Sequence, residues 1–106
     1  MVPPLSEITS IKKEEINLPT KFNLNQNYPN PFNPNTLISY SLPSASNVKL
    51  IVYNTIGQTV QTLENGFKNA GSYSDNFNAA ELPSGIYFYK LEARQFSQIK
   101  KMILLK

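Results

Sequence analysis

The chain contains no cysteine and no histidine. Without cysteine there is no disulfide framework, no thiolate metal site and no thiol redox chemistry. Without histidine, the commonest general base and the commonest transition-metal ligand are both missing. Glycine is scarce: Gly57, Gly66, Gly71 and Gly85 stand apart from one another, so no glycine-rich phosphate cradle exists. No apolar run approaches the ~20 residues that a bilayer-spanning helix requires. Net charge is only +3, and no basic stripe interleaves with aromatic residues, which argues against nucleic acid as a partner. The opening residues Met1-Val2-Pro3-Pro4 lack the basic and apolar stretches of a signal peptide, so an exported form is expected to carry its signal upstream in a longer precursor.

Catalytic patterns are equally thin. A nucleophilic triad needs a base beside its serine or cysteine. A serine–lysine pair remains formally open, but no serine sits in an elbow motif. The carboxylates beyond residue 20 (Glu64, Asp75, Glu81 and Glu92) fall in separate segments, not in the close pair that glycoside hydrolysis uses. Asn30, Asn33, Asn35, Asn78 and Asp75 offer oxygen ligands for calcium, yet calcium sites recruit several carboxylates, and asparagine beside proline is ordinary turn chemistry. The chain is therefore expected to be no enzyme and to need no cofactor, metal or small-molecule substrate.

What is present is a repeated pattern of short strands. At 106 residues and 41% hydrophobic content, the length suits one domain. Residues 1–20 stand apart: Pro3, Pro4 and Pro19 punctuate a polar stretch with loosely spaced apolar residues. A short helix over Ser6–Glu15 is conceivable, but the segment reads better as a linker. Residues 26–35, Gln-Asn-Tyr-Pro-Asn-Pro-Phe-Asn-Pro-Asn, carry three prolines, which rule out a helix or a central strand and predict a rigid looping connection. Tyr28 and Phe32 are expected to plug one end of the fold.

Alternation then marks strands over Thr36–Leu42, Val48–Tyr53, Gln58–Leu63, Ser72–Asn78, Ile86–Ala93 and Ser97–Lys106, with a seventh near Lys21–Asn25. Asn54–Gly57 reads as a hairpin loop, and Glu64-Asn65-Gly66 and Asn69-Ala70-Gly71 as turns. Ile86–Ala93 is apolar on both faces, which predicts a central strand. Its run Tyr87-Phe88-Tyr89 is expected to serve core packing rather than a sugar-binding platform. The pattern predicts an all-β, antiparallel β-sandwich of about seven strands spanning 21–106.

The final strand is less easily explained by structure alone. Ile99, Lys101, Ile103 and Leu105 share one face, and Lys100, Met102 and Leu104 the other. It reads either as a closing edge strand protected by charges or as a docking strand read by another protein.

Four motifs in order resemble a known family. Leu24–Thr36, with Tyr28-Pro29-Asn30-Pro31-Phe32-Asn33-Pro34 at its centre, resembles the opening of type A C-terminal sorting domains of the type IX (Por) secretion system. Val52–Gly57 is similar to that family's hairpin, with Asn54 where aspartate is frequent. Leu82–Tyr89, containing Gly85 and Tyr87, is similar to its Leu-x-Ser-Gly-x-Tyr-x-Tyr segment. Lys100-Lys101-Met102-Ile103-Leu104-Leu105-Lys106 is similar to its terminal strand. The resemblance implies an immunoglobulin-like sandwich acting as a non-catalytic export address. It implies an upstream cargo, and passage through the periplasm to the cell surface or the medium.

The implied partners are outer-membrane secretion machinery and a sortase-like peptidase, which would cut between Glu15 and Asn23. Lys100–Lys106 inherit the recognition role. The proline-rich opening also resembles an immunoglobulin-like module of flagellar hook-capping proteins. That keeps a structural or adhesive module open, and a carbohydrate-binding accessory module stays open beside it.

Overall fold

The computed structural model describes residues 18–106; the expected linker up to residue 17, its conceivable helix and the first three residues of the proposed cleavage region lie outside the described residues. Seven strands follow one another: β1 (Asn23–Leu24), β2 (Asn35–Leu42), β3 (Ser46–Tyr53), β4 (Thr59–Lys68), β5 (Gly71–Asn78), β6 (Gly85–Ala93) and β7 (Phe96–Leu104). They form two antiparallel sheets, ordered β1-β2-β5 and β4-β3-β6-β7, with no helix among the described residues. The sheets face each other as a sandwich. β6 lies between β3 and β7, as its two apolar faces predict.

The core is the inward half of each alternating strand. β2 supplies Ile38, Tyr40 and Leu42, β3 supplies Val48, Leu50 and Val52, and β6 supplies Tyr87, Tyr89, Leu91 and Ala93. Leu24 of β1, Phe77 of β5, Met102 and Leu104 of β7, and Phe32 and Ala79 from the connections complete it. Each fully buried aliphatic side chain contributes about 1.5–3 kcal/mol relative to solvent exposure. Tyr87 and Tyr89 therefore point inward and only Phe88 faces out, which answers the question raised by that aromatic run in favour of packing.

Two expectations need correction. Glu64-Asn65-Gly66 is no turn: β4 continues through it, with Leu50 opposite Glu64, Lys49 opposite Asn65 and Val48 opposite Gly66. β4 is an edge strand and both Asn65 and Gly66 are exposed, so ladder pairing with β3 overrides their weak strand preference. The register shifts twice along this pair, leaving Leu63 and Val60 as the extra residues. Those are the two β4 side chains that pack against the core, so the bulges re-aim apolar residues inward. β7 begins at Phe96 and ends at Leu104, slightly earlier than alternation alone suggests.

The hairpin at Asn54 forms as expected. Asn54 Oδ1 accepts from the N–H groups of Ile56 (3.1 Å) and Gln58 (2.9 Å), and its amide donates to Gln58 Oε1 (2.8 Å). A neutral asparagine thus closes the turn without the charge of aspartate. Gly57 sits at φ 85°, where a side chain is strained.

Between the sheets, on the β4–β5 side, lies a polar cluster. Lys68 Nζ is 3.5 Å from Glu64 Oε1 and 4.5 Å from the centroid of the Tyr73 ring, while Tyr73 stacks on Tyr40. Tyr40 Oη and Asp75 Oδ2 are buried there with no hydrogen-bond partner among the described residues. Burial, and then the neighbouring Glu64, push the Asp75 carboxyl up to about 6; Lys68 and Tyr40 pull weakly the other way.

Because the folded value lies above the unfolded one, the protonated form stabilises the fold below about pH 4, and that contribution is lost as pH rises to about 6. Asp75→Asn is expected to be more stable than the parent at neutral pH by about 1 kcal/mol, a figure reduced for solvent screening of a partly exposed carboxyl. Urea unfolding at pH 4 and pH 7 checks this: the gap between variant and parent should widen at the higher pH, and a constant gap contradicts it.

Candidate functional site

The terminal strand and the proline-rich loop, whose side-chain-bonded residues lie 73 and 75 positions apart in the sequence, meet at one edge of the four-stranded sheet. β7 is the outermost strand of that sheet, paired only on its β6 side. Its other edge is occupied along the C-terminal half. Phe32 N–H donates to Ile103 O (2.9 Å), and Leu105 N–H donates to Phe32 O (3.0 Å). Ile103 N–H donates to Asn30 Oδ1 (3.0 Å), and Gln26 Nε2 donates to Lys101 O (2.7 Å). The loop acts as a short surrogate strand along residues 101–105. Beyond β7, Lys106 is held by Ser84 Oγ and by Ala80 O.

The loop can do this because it is itself rigidly held. Proline removes backbone donors that would otherwise need partners. Asn27 is buried and acts as a hub: its N–H donates to Tyr89 Oη (2.8 Å), and its side-chain amide donates to Pro29 O and to Thr36 Oγ1. Thr36 Oγ1 donates in turn to Pro29 O (2.8 Å), and Tyr89 Oη donates to Asn25 O (2.7 Å). Burial pushes the Tyr89 phenol up to about 12, so it stays a donor at every physiological pH. Tyr28 exchanges two backbone bonds with Leu37, and Ala79 N–H donates to Pro34 O.

The expected site residues divide accordingly. Phe32 is 2% exposed and packs against Phe77, so it plugs the sandwich as anticipated. Tyr28 does not: its side chain is 81% exposed, because its role in the loop is carried by its backbone. Pro29 and Pro34 offer carbonyls to the network, while Pro31 and Asn33 lie exposed on the loop. Three of the four asparagine oxygens considered for calcium are engaged within the protein: Asn30 accepts from Ile103 N–H, Asn35 accepts from Asn76, and Asn78 accepts from Ala80 N–H. No three histidine, cysteine or acidic side chains converge among the described residues.

Gly85 opens β6 at φ 148°, and Tyr87 Oη donates to Pro83 O (2.7 Å), which fastens the turn before that strand. On β7, Met102 and Leu104 are core residues, Lys101 is exposed, and Lys100 and Ile103 are half-buried, while Leu105 and Lys106 just beyond it are exposed.

The free edge expected for β7 is thus only half free. By strand alternation, residues 97, 99 and 101 turn their outward backbone groups to the same side as 103 and 105. The groups of Ser97 and Ile99, and the N–H of Lys101, remain open among the described residues. The loop covers the rest. Sequence reasoning missed Gln26, Asn27, Thr36 and Tyr89 as supports of the site, since a buried asparagine carries no periodic signal.

A family model described as a secretion system C-terminal sorting domain matches residues 26–105, which takes in the loop and strands β2 to β7 together. No curated protein matches the chain.

Proposed function

The chain belongs to the family of secretion-system C-terminal sorting domains, and from that premise we propose that its terminal strand, braced by the proline-rich loop, is the part the export machinery reads. The domain is a type IX sorting signal, a targeting element rather than a catalytic one. A cargo upstream of residue 1 is the passenger, residues 1–20 are the join, and transit runs through the periplasm. An outer-membrane translocon and a sortase-like peptidase acting between Glu15 and Asn23 are the partners. Lys100, Lys101, Met102, Ile103, Leu104, Leu105 and Lys106 form the recognised segment.

The observation that carries this reading is the union of the loop and the strand through Phe32, Ile103 and Leu105. It makes the two most widely separated motifs one structural unit. An isolated edge strand would invite indiscriminate pairing with other chains. A braced one presents a fixed arrangement of side chains.

The test is a fluorescent passenger that carries an N-terminal signal peptide, fused before Met1 and expressed in a host that has the secretion system. Surface delivery is expected there, and accumulation inside the cell is expected in the same host lacking the translocon. Delivery that is absent from both strains, or equal in both, overturns the reading.

A further inference from the structure

The two outward faces of the sandwich differ in kind. The face of the β1-β2-β5 sheet is built mainly from small uncharged residues, Asn35, Ser39, Ser41, Ser72, Ser74 and Asn76, joined across strands by the Ser39–Ser74 (2.9 Å) and Asn35–Asn76 (3.3 Å) hydrogen bonds, with Leu37 as a lone large apolar side chain among them. That is an ordinary solvent face. The face of the β4-β3-β6-β7 sheet presents Ile51, Tyr53, Ile86, Phe88, Ile99 and Ile103 instead. Ile103 lies opposite Ile86, Tyr53 opposite Phe88, and Ile51 and Ile99 flank Lys90 on either side. Ile86 and Ile99 are 41% and 58% exposed. None of these six belongs to the buried core. Contiguous apolar surface of this kind on a small protein marks a binding site.

Charge selects the partner. Lys49 and Lys101 border the apolar surface and form no ion pair among the described residues. The one carboxylate of this face among the described residues, Glu92, is already bound by Lys90 at 2.8 Å. The face is therefore apolar over Tyr53, Phe88, Ile86 and Ile103, carries the self-neutralising Lys90–Glu92 pair beside them, with Lys90 between Ile51 and Ile99, and has Lys49 and Lys101 as its unpaired cations. Tyr53, Phe88 and Ile103 are half-buried, level with the sheet, which suits a complementary protein surface better than insertion into lipid. The backbone edge of β7 is no alternative along residues 101–105, because the loop fills it.

We infer that the outer face of the β4-β3-β6-β7 sheet docks a protein of the secretion machinery whose own surface is apolar where it meets Tyr53, Phe88, Ile86 and Ile103 and carries carboxylates where it meets Lys49 and Lys101. This rests on the sorting reading above. Side chains of β7 that point away from the core, above all Lys101 and Ile103, then act together with Phe88 and Ile86 of β6 as one contact. Recognition of the terminal strand is recognition of a sheet face.

The experiment compares surface delivery of the passenger fused to the full chain carrying Phe88→Thr with Ile103→Thr, Lys101→Glu, or Ser74→Lys on the opposite face. Threonine keeps strand preference while removing apolar area. Circular dichroism and thermal melting establish that each variant is folded; Lys101→Glu, at an exposed position, serves if the double variant is not. Delivery is expected to fall about tenfold or more for the first two, the loss typical of central interface residues, and to stay at the parental level for Ser74→Lys.

Folded variants delivered like the parent overturn the docking face while leaving the sorting reading intact. A parent that is never delivered removes both. Concentration-dependent dimers of the parent that the same substitutions abolish would assign the face to a second copy. Co-sedimentation with phosphatidylcholine–phosphatidylglycerol vesicles that Lys101→Glu abolishes would assign it to an anionic membrane. Either result overturns the protein partner.

Discussion

Phe32→Ala is expected to destabilise the domain by about 3–5 kcal/mol, the range for removing a buried phenylalanine ring, and to release the loop from β7. Phe32 anchors the loop through its ring, packed against Phe77 with centroids 6.0 Å apart. Its backbone meanwhile holds Ile103 and Leu105. Loss of the ring removes the reason for the backbone to stay. Hydrogen exchange gives a residue-resolved readout. The amides of Ile103 and Leu105, which depend on Asn30 Oδ1 and Phe32 O, should exchange faster. Those of Met102 and Leu104, which alternate toward β6, should keep their protection. Unchanged protection at Ile103 would show that the loop is held without its aromatic anchor.

Deleting Lys101–Lys106 is expected to abolish the cooperative unfolding transition. The deletion removes Met102 and Leu104, both fully buried, at about 2–5 kcal/mol each for truncation of such side chains. It also removes the partner of the loop. Against a total stability of about 5–15 kcal/mol for a domain of this kind, little remains. A broad, non-cooperative melt by circular dichroism is the expected result, and a sharp transition near the parental midpoint would contradict it. Such a deletion cannot separate a lost signal from a lost fold. Substitutions at outward positions such as Lys101 and Phe88 make that separation, which is why they carry the export test.

Much of this architecture is legible in the sequence because it rests on local alternation. Ile38, Tyr40 and Leu42 announce the inward face of β2, and the two-sided apolar character of Ile86–Ala93 announces a central strand. The hairpin at Asn54–Gly57 follows from turn chemistry. What escapes is decided between distant segments. The true length of β4 depends on Lys49 and Val48 pairing with Asn65 and Gly66, and no local preference announces that. Asn27 looks like one more turn asparagine until Tyr89 and Thr36 close around it. The loop's grip on β7 joins two segments that each look sufficient alone. Phe88 gave a hint: one aromatic residue of a consecutive three must face outward in a strand.

The bond between residue 32 and residues 103–105 also sets an order of events. Of the seven strands, β7 is made after all the others, yet it fills one end of the core and secures the loop that lies between β1 and β2. A closed sandwich therefore certifies that synthesis has run through to residue 105. Contacts spanning so much sequence form late and slowly, so a polypeptide cut short would linger as an open sheet with its apolar interior accessible to proteases. Closure of this domain is thereby a single event set by its last strand, and a transport apparatus that accepts only the closed shape would refuse a domain that lacks it.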